Sequence, residues 1–239
     1  MAGIEQGTDA RQGGPDAALD WRDDVIPISR RFDDPYFSLN NGLAETRHVF
    51  LAGNGLPERL HDGFHIAELG FGTGLNMLAT LIAWQQTGRE GTVRFTSFEA
   101  YPLGADDIAR ALLAFPEVQA AAAPFLGQWA LGLTDADGNR TLTLPGLSLR
   151  VIVGDARHTV PAWQGQADAW FLDGFSPAKN PELWSPDLMA QVYAHTAPGG
   201  TFATYTAAGH VRRGLAGAGF SVERRAGHGT KRHMSAGIR

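Results

Sequence analysis

The chain has no cysteine among its 239 residues, which excludes disulfides and thiolate metal sites. It has no apolar run close to the ~20 residues a membrane-spanning helix needs; its apolar stretches are broken by Gly, Pro or charge. The first residues, Met-Ala-Gly-Ile-Glu-Gln-Gly-Thr-Asp, carry neither the basic region nor the apolar stretch of a secretory signal. A cytoplasmic setting is therefore expected, and no metal is assigned. Charged residues are only 19% and the net charge is −5, which weighs against a general nucleic-acid binder. The shortage of basic residues is uneven. Residues 1–209 hold 13 Lys/Arg against 24 Asp/Glu, whereas residues 210–239 hold seven Lys/Arg and a single acid, Glu223. That end is either a solvated face or a patch for a polyanion.

With 44% hydrophobic residues, the length supports one domain with a substantial core. Residues 1–18, rich in Gly, Ala, Gln and Asp, read as a disordered tail. Residues 19–62 mix aromatics (Trp21, Phe32, Tyr36, Phe37) with turn residues and read as an extension packed on the core, with a helix over 43–51. From residue 63 a regular alternation begins. Strands are expected at 64–69, 93–98, 147–153, 168–173 and 201–206. Helices are expected at 75–86, 108–123 (interrupted at Pro116), 186–195 and 211–218. Asp137-Gly138-Asn139 marks a turn, and strands near 140–144 and 147–153 form a hairpin into the third core strand. Two strands, 220–225 and 233–238, close the chain around Gly227-His228-Gly229. Such alternation implies an α/β fold: a mostly parallel seven-stranded sheet of Rossmann-like type, with one antiparallel strand near the C-terminus.

The segment Glu68-Leu-Gly70-Phe-Gly72-Thr-Gly74 sits between a strand and a helix. Glycines there let the backbone turn tightly and approach a ligand, and the helix start offers unpaired N–H groups. The spacing G-x-G-x-G differs from the pyrophosphate-binding G-x-G-x-x-G. An acid two places before the first glycine repels pyrophosphate but suits the cationic amino-acid part of S-adenosylmethionine. A loop of purely structural use is the alternative. Glu99 ends the second strand, where a carboxylate can accept hydrogen bonds from both ribose hydroxyls. Asp155 follows the third strand, within reach of an adenine amino group, and Asp173 ends the fourth. Each could instead be a helix cap or an exposed charge. Their recurrence at successive strand ends, where open α/β sheets bind ligands, favours a site. Together these features describe a class I S-adenosylmethionine-dependent methyltransferase fold.

The run Asp168-Ala-Trp-Phe-Leu-Asp173-Gly-Phe175-Ser-Pro177-Ala-Lys179-Asn-Pro-Glu-Leu-Trp184 resembles the methyltransferase domain of the MnmC/MnmD-like family, bacterial enzymes that modify the tRNA wobble uridine. The resemblance extends over roughly residues 20–239. It includes Phe32-Asp-Asp-Pro-Tyr-Phe-Ser38, Asn41-Gly-Leu-Ala-Glu-Thr-Arg47, Gly70-Phe-Gly-Thr-Gly-Leu-Asn76, residues 207–215 and residues 227–234. It implies N-methylation of 5-aminomethyl-2-thiouridine in tRNA; a methyltransferase of the same fold acting on another amine, in a small molecule or protein, and a non-catalytic tRNA-binding module of the same fold are the alternatives. It further implies a cofactor site that includes Glu68, Gly70, Gly72, Gly74, Asn76, Glu99, Asp155 and Asp173. Asp173 would hold the amine or accept its proton, and Phe175 would pack on the flipped base. Pro177 and Lys179 would lie on the substrate side, with Lys179 either on a phosphate or solvated. Arg212, Arg213, Arg224, Arg225, Lys231 and Arg232 would be available to anticodon-stem phosphates, although strand alternation forbids all six from sharing one face. Many members carry a flavin-dependent oxidase that acts upstream. No second Gly-rich nucleotide loop follows here, so a stand-alone enzyme and a fragment of a longer one both remain open.

Overall fold

The computed structural model describes residues 18–38 and 41–239. The expected tail, save for Ala18, falls outside them, as does Asn40. The described chain opens with a three-stranded antiparallel meander that the sequence pattern did not disclose: β1 (Leu19–Arg22), β2 (Ile26–Ser29) and the short β3 (Asp34–Pro35). Asp23 and Asp24 turn the first hairpin with positive φ, a conformation Asp tolerates better than most residues. Asn41 caps α1 (Gly42–Thr46) by accepting from the Ala44 N–H. The expected helix over 43–51 is found, but its second half, Arg47–Leu51, winds as a π-helical turn.

The core then alternates. β4 (His65–Leu69), α2 (Leu75–Gln86) and β5 (Val93–Glu99) lie close to the expected bounds. The interruption at Pro116 is real, and it separates two helices, α3 (Ala105–Leu112) and α4 (Gln119–Trp129). The second outruns the expected end and passes through Pro124. Its buried Ala122, Phe125 and Trp129 recur on one face, and their packing holds the helix together beyond the proline. β6 (Arg140–Leu144) and β7 (Leu147–Val153) form the expected hairpin. α5 (Ala156–Ala162), β8 (Ala167–Leu172), α6 (Pro186–Ala194), β9 (Thr196–Thr204) and α7 (Gly209–Ala218) follow. The closing hairpin is β10 (Ser221–Ala226) and β11 (His233–Ile238).

The large sheet has the order β10-β11-β9-β8-β4-β5-β7-β6. Its seven expected strands include the one antiparallel strand near the C-terminus, β11. The outer arm of the hairpin, β6, adds an eighth, also antiparallel. Every residue of β4 is buried, because helices cover both faces. Ile66, Phe95 and Phe171 point to the layer of α2 and α4, where Leu78, Phe125 and Trp129 pack. Ala67, Trp170 and Leu172 point to the layer of α5, α6 and α7, with Val160, Met189 and Leu215. β4 pairs with β5 on one side and β8 on the other, so the chain changes winding direction between β4 and β8. The crevice above that switch point is where such folds bind ligands.

Candidate active site

The loops after β4 and β8 meet directly above the switch point. Gly70 has φ +83, and a Cβ there would stand 3.1 Å from the Gly174 Cα. Glycine at 70 thus permits both the turn and the contact between the two loops. A cavity of about 1010 Å³ opens over this contact. That is the upper end of the roughly 300–1,000 Å³ usual for ligand pockets, with room for more than a cofactor.

One half of the wall comes from the core. Gly70, Phe71, Gly72, Asn76, Glu99, Asp155 and Arg157 line it. The Glu99 carboxylate accepts from the Gly72 N–H (3.1 Å) and the Tyr101 N–H (2.8 Å). One bond to each oxygen leaves lone pairs for a further donor. Burial pushes its carboxyl above the usual range, opposed by these backbone bonds.

Several expected cofactor residues have a different place from the one anticipated. Glu68 is fully buried behind the wall, and both its oxygens are taken, one by Asn76 Nδ2 (2.9 Å) and one by Ser97 Oγ (2.7 Å). It supports the loop from below rather than facing a ligand. Gly74 caps α2 with φ +74 and backs onto Phe71 and Phe125, away from the cavity. Asp155 lines the cavity, yet it is also the helix cap that the simpler view anticipates. It accepts from the Arg157 N–H and pairs with the Arg157 guanidinium at 2.6 Å, which holds its carboxyl below the usual range.

Asn76 is the hub between the two halves. Its Nδ2 donates to Glu68 and to Asp173 Oδ2 (2.7 Å), and its Oδ1 accepts from Thr46 Oγ1 (2.8 Å). The amide is thereby fixed in orientation, with both N–H groups and the carbonyl used. Asp173 Oδ1 accepts from the Gly174 N–H at 2.9 Å. Burial pushes the Asp173 carboxyl up to about 6, and the bonds from Asn76 and Gly174 limit the rise.

The other half of the wall is built where the N-terminal extension and the terminal turn meet the loops after β8 and β9. Phe32 stacks on Phe175 with centroids 4.6 Å apart, and Tyr36 meets Phe175 edge-on at 5.1 Å. Phe175 is therefore in an aromatic cluster at the cavity wall, with one face already covered by Phe32. Asp34 accepts from the Ser176 N–H (2.8 Å), and Asp33 pairs with Lys179 at 2.6 Å. Lys179, expected on a phosphate or in solvent, instead ties the extension to the loop after β8. Lys231 also differs: it sits in the cavity wall, 2.7 Å from Glu45 Oε1 and 4.2 Å from the Tyr205 ring centroid. Tyr205 in turn donates its hydroxyl to the Gly174 carbonyl at 2.8 Å. Phe32, Tyr36, Glu45, Thr46 and Tyr205 were assigned no role from sequence. Phe32, Tyr36, Glu45 and Thr46 lie inside the motifs of the family resemblance, which was the available signal.

The remaining expected residues do not line the cavity. Pro177 is half-buried beside it. Arg212 is half-buried, with its Nε enclosed and unpaired, whereas Arg213, Arg224 and Arg232 are exposed. Arg225 is committed to Glu223 (3.1 Å) and to the Gly53 carbonyl, so the six basic residues are not equally available to a phosphate. Among the described residues, no group of three His, Asp or Glu is placed to hold a metal ion, and no helix is long and apolar enough to cross a membrane.

A doubly wound sheet with a glycine cradle and acids at the ends of β5 and β8 defines the class I methyltransferases. A family model described as S-adenosyl-L-methionine-dependent methyltransferase matches residues 116–239, and the chain belongs to that family. Two similar proteins are both called tRNA 5-methylaminomethyl-2-thiouridine biosynthesis bifunctional protein MnmC. The one from Aeromonas salmonicida is 45% identical over 93% of this chain, and the one from Caulobacter vibrioides is 48% identical over 90%. The chain spans about a third of their length, 35% and 36% respectively. Among solved structures, MnmC2 from Aquifex aeolicus superposes with a TM-score of 0.71 at 26% identity, covering 89% of this chain and 66% of that one. TrmN from Thermus thermophilus shares the fold, with a TM-score of 0.51 at 17% identity, over 89% of this chain and 52% of that one. The cofactor of the family is S-adenosylmethionine.

Proposed function

We propose that this protein methylates the primary amine of 5-aminomethyl-2-thiouridine at the wobble position of tRNA, giving 5-methylaminomethyl-2-thiouridine. The observation that carries the proposal is Asp173. It lines the cavity at the end of β8 and is bonded to Asn76 at the start of α2, in a chain similar to proteins named for this modification.

The residues present suit the cofactor. Gly70 and Gly72 keep one wall free of side chains, and Glu99 retains acceptor capacity for ribose hydroxyls. Asn76 completes the cradle, and Asp155 with Arg157 borders the adenine end. Bound there, S-adenosylmethionine supplies a methyl group activated on a sulfonium.

The acceptor half holds and prepares the amine. An alkyl amine is largely protonated at neutral pH, with a reference value near that of Lys, about 10.4, and only its neutral form is a nucleophile. Asp173, fixed by Asn76 and the Gly174 N–H, accepts a hydrogen bond from the amine and takes the proton that nitrogen sheds. With its carboxyl at about 6, it is ionised at neutral pH and so carries the charge that can receive a proton. Fixing the amine at near-attack distance supplies much of the acceleration. Phe175, Phe32 and Tyr36 form the surface for the extruded base. The exposed Arg213, Arg224 and Arg232 meet backbone phosphates. An oxidase acting upstream, flavin-dependent in this proposal, releases the amine, and the cytoplasm is the setting.

The test is transfer of labelled methyl from S-adenosylmethionine to tRNA that carries 5-aminomethyl-2-thiouridine at the wobble position, read by nucleoside mass spectrometry. Label on the wobble uridine is expected. Label only in protein or small amines contradicts the proposal.

A further inference from the structure

Glu45 and Lys231 belong to neither the cofactor cradle nor the core, yet both line the same cavity as Asp173. The Glu45 side chain is 10% exposed, so its carboxylate is nearly sealed from water and requires a cation. Lys231 provides one. Its ammonium lies 2.7 Å from Glu45 Oε1 and 4.2 Å from the centroid of Tyr205. A carboxylate beside the face of an aromatic ring is a strong recognition element for an alkyl ammonium. The two walls of this element are well anchored. Glu45 is in α1, next to Thr46, which donates to Asn76. Tyr205 follows β9, and its hydroxyl is held by the Gly174 carbonyl. Lys231, by contrast, extends from the exposed turn between β10 and β11, with its side chain 40% exposed. The enclosed part is the receptor, and the more exposed part is the occupant.

We propose that Glu45 and the face of Tyr205 form a subsite for the substrate's protonated aminomethyl group, and that the Lys231 ammonium occupies it until substrate displaces it. This deepens the methylation reading given above and rests on it. The substrate enters as a cation, exchanges with Lys231 at Glu45, and is then adjacent to Asp173, which receives the proton before methyl transfer. Lys231, once displaced, is carried on a rim whose next residue is the exposed Arg232, where RNA phosphate is the natural counter-ion.

Two measurements on the full chain test this. In the first, binding of propylammonium chloride is followed by calorimetry, with S-adenosylhomocysteine affinity as the check of folding. Lys231→Ala is expected to bind propylammonium about tenfold more tightly than the parent protein, and adding Glu45→Gln to it is expected to abolish the gain. Equal binding by the parent and Lys231→Ala, or a gain that survives Glu45→Gln, overturns the subsite. Lys231→Gln with Glu45→Gln preserves side-chain volume and gives the same comparison if alanine unfolds the turn. In the second, KM for tRNA carrying 5-aminomethyl-2-thiouridine is expected to fall several-fold in Lys231→Ala and rise in Glu45→Gln. A rise in both assigns Lys231 to a phosphate instead. If propylammonium behaves as stated but no tRNA is methylated, the subsite stands and the tRNA assignment falls. If tRNA is methylated but propylammonium gives no response, the tRNA assignment stands and the subsite falls.

Discussion

The two halves of the cavity are built by different means. The half proposed for the cofactor is local: Gly70, Gly72 and Asn76 fall within one loop and the first turn of one helix, and Glu99 reaches Gly72 from the neighbouring strand. The acceptor half is assembled from distant parts of the chain. Asp34 bonds Ser176, Asp33 pairs with Lys179, and Glu45 pairs with Lys231. The first half depends on the doubly wound sheet, which any member of the class must keep. The second depends on an extension and on the turn of the terminal hairpin, which can vary without disturbing the sheet. Specificity for the acceptor is accordingly expected to reside outside the core, and the chemistry at Asp173, where the halves touch.

That division can be broken by substitution. The largest effect is expected at Asp173→Ala. Turnover falls by about 10²–10⁴, the usual contribution of a positioned acid or base, while calorimetry finds the affinity for S-adenosylhomocysteine within about threefold of the parent. Parallel loss of both would put Asp173 in the cofactor half. Next is Glu99→Gln, which keeps shape but removes charge. It should weaken cofactor binding by about 10–100-fold, as for a lost hydrogen bond to a charged group, and leave KM for tRNA unchanged. A shift in tRNA KM would show that the halves are coupled. The pH profile comes third. Burial raises the Asp173 carboxyl to about 6, so the ionised acceptor is present above that value and lost as pH falls through it. The expected kcat therefore drops about tenfold per unit on the acid side of pH 6; a flat profile down to pH 5 removes Asp173 as the proton acceptor. Smallest is Lys179→Ala. Its pair with Asp33 is exposed, so thermal stability and tRNA KM should change little, less than about threefold in KM. A tenfold rise in KM would restore Lys179 to a phosphate contact.

The same division explains what could be read from the sequence. The alternation of strands and helices, the glycine loop and the acids at strand ends are all periodic or local, and the structure follows them apart from α5, which was not expected, and β9, which starts at Thr196 rather than 201. The meander of β1–β3 escaped because its strands are short and its turns use Asp rather than Asn-Gly. Glu68 illustrates a second limit. Its motif marks the loop correctly, but whether a carboxylate faces a ligand or braces the loop from behind depends on Ser97, a partner on another strand. Lys231 illustrates a third. In the sequence it is one of several basic residues near the C-terminus, and only the fold brings it to Glu45 and Tyr205. Phe175 was assigned through the family resemblance, yet its stacking on Phe32 joins residues far apart in the chain.

A cavity divided at Asp173 is tested most directly by a crystal structure with S-adenosylhomocysteine bound. The product is expected along Gly70 and Gly72, its ribose hydroxyls on Glu99, with the space between Phe32, Phe175 and Glu45 left open. Product lying across Phe175 toward Glu45, with Glu99 uncontacted, would contradict the division.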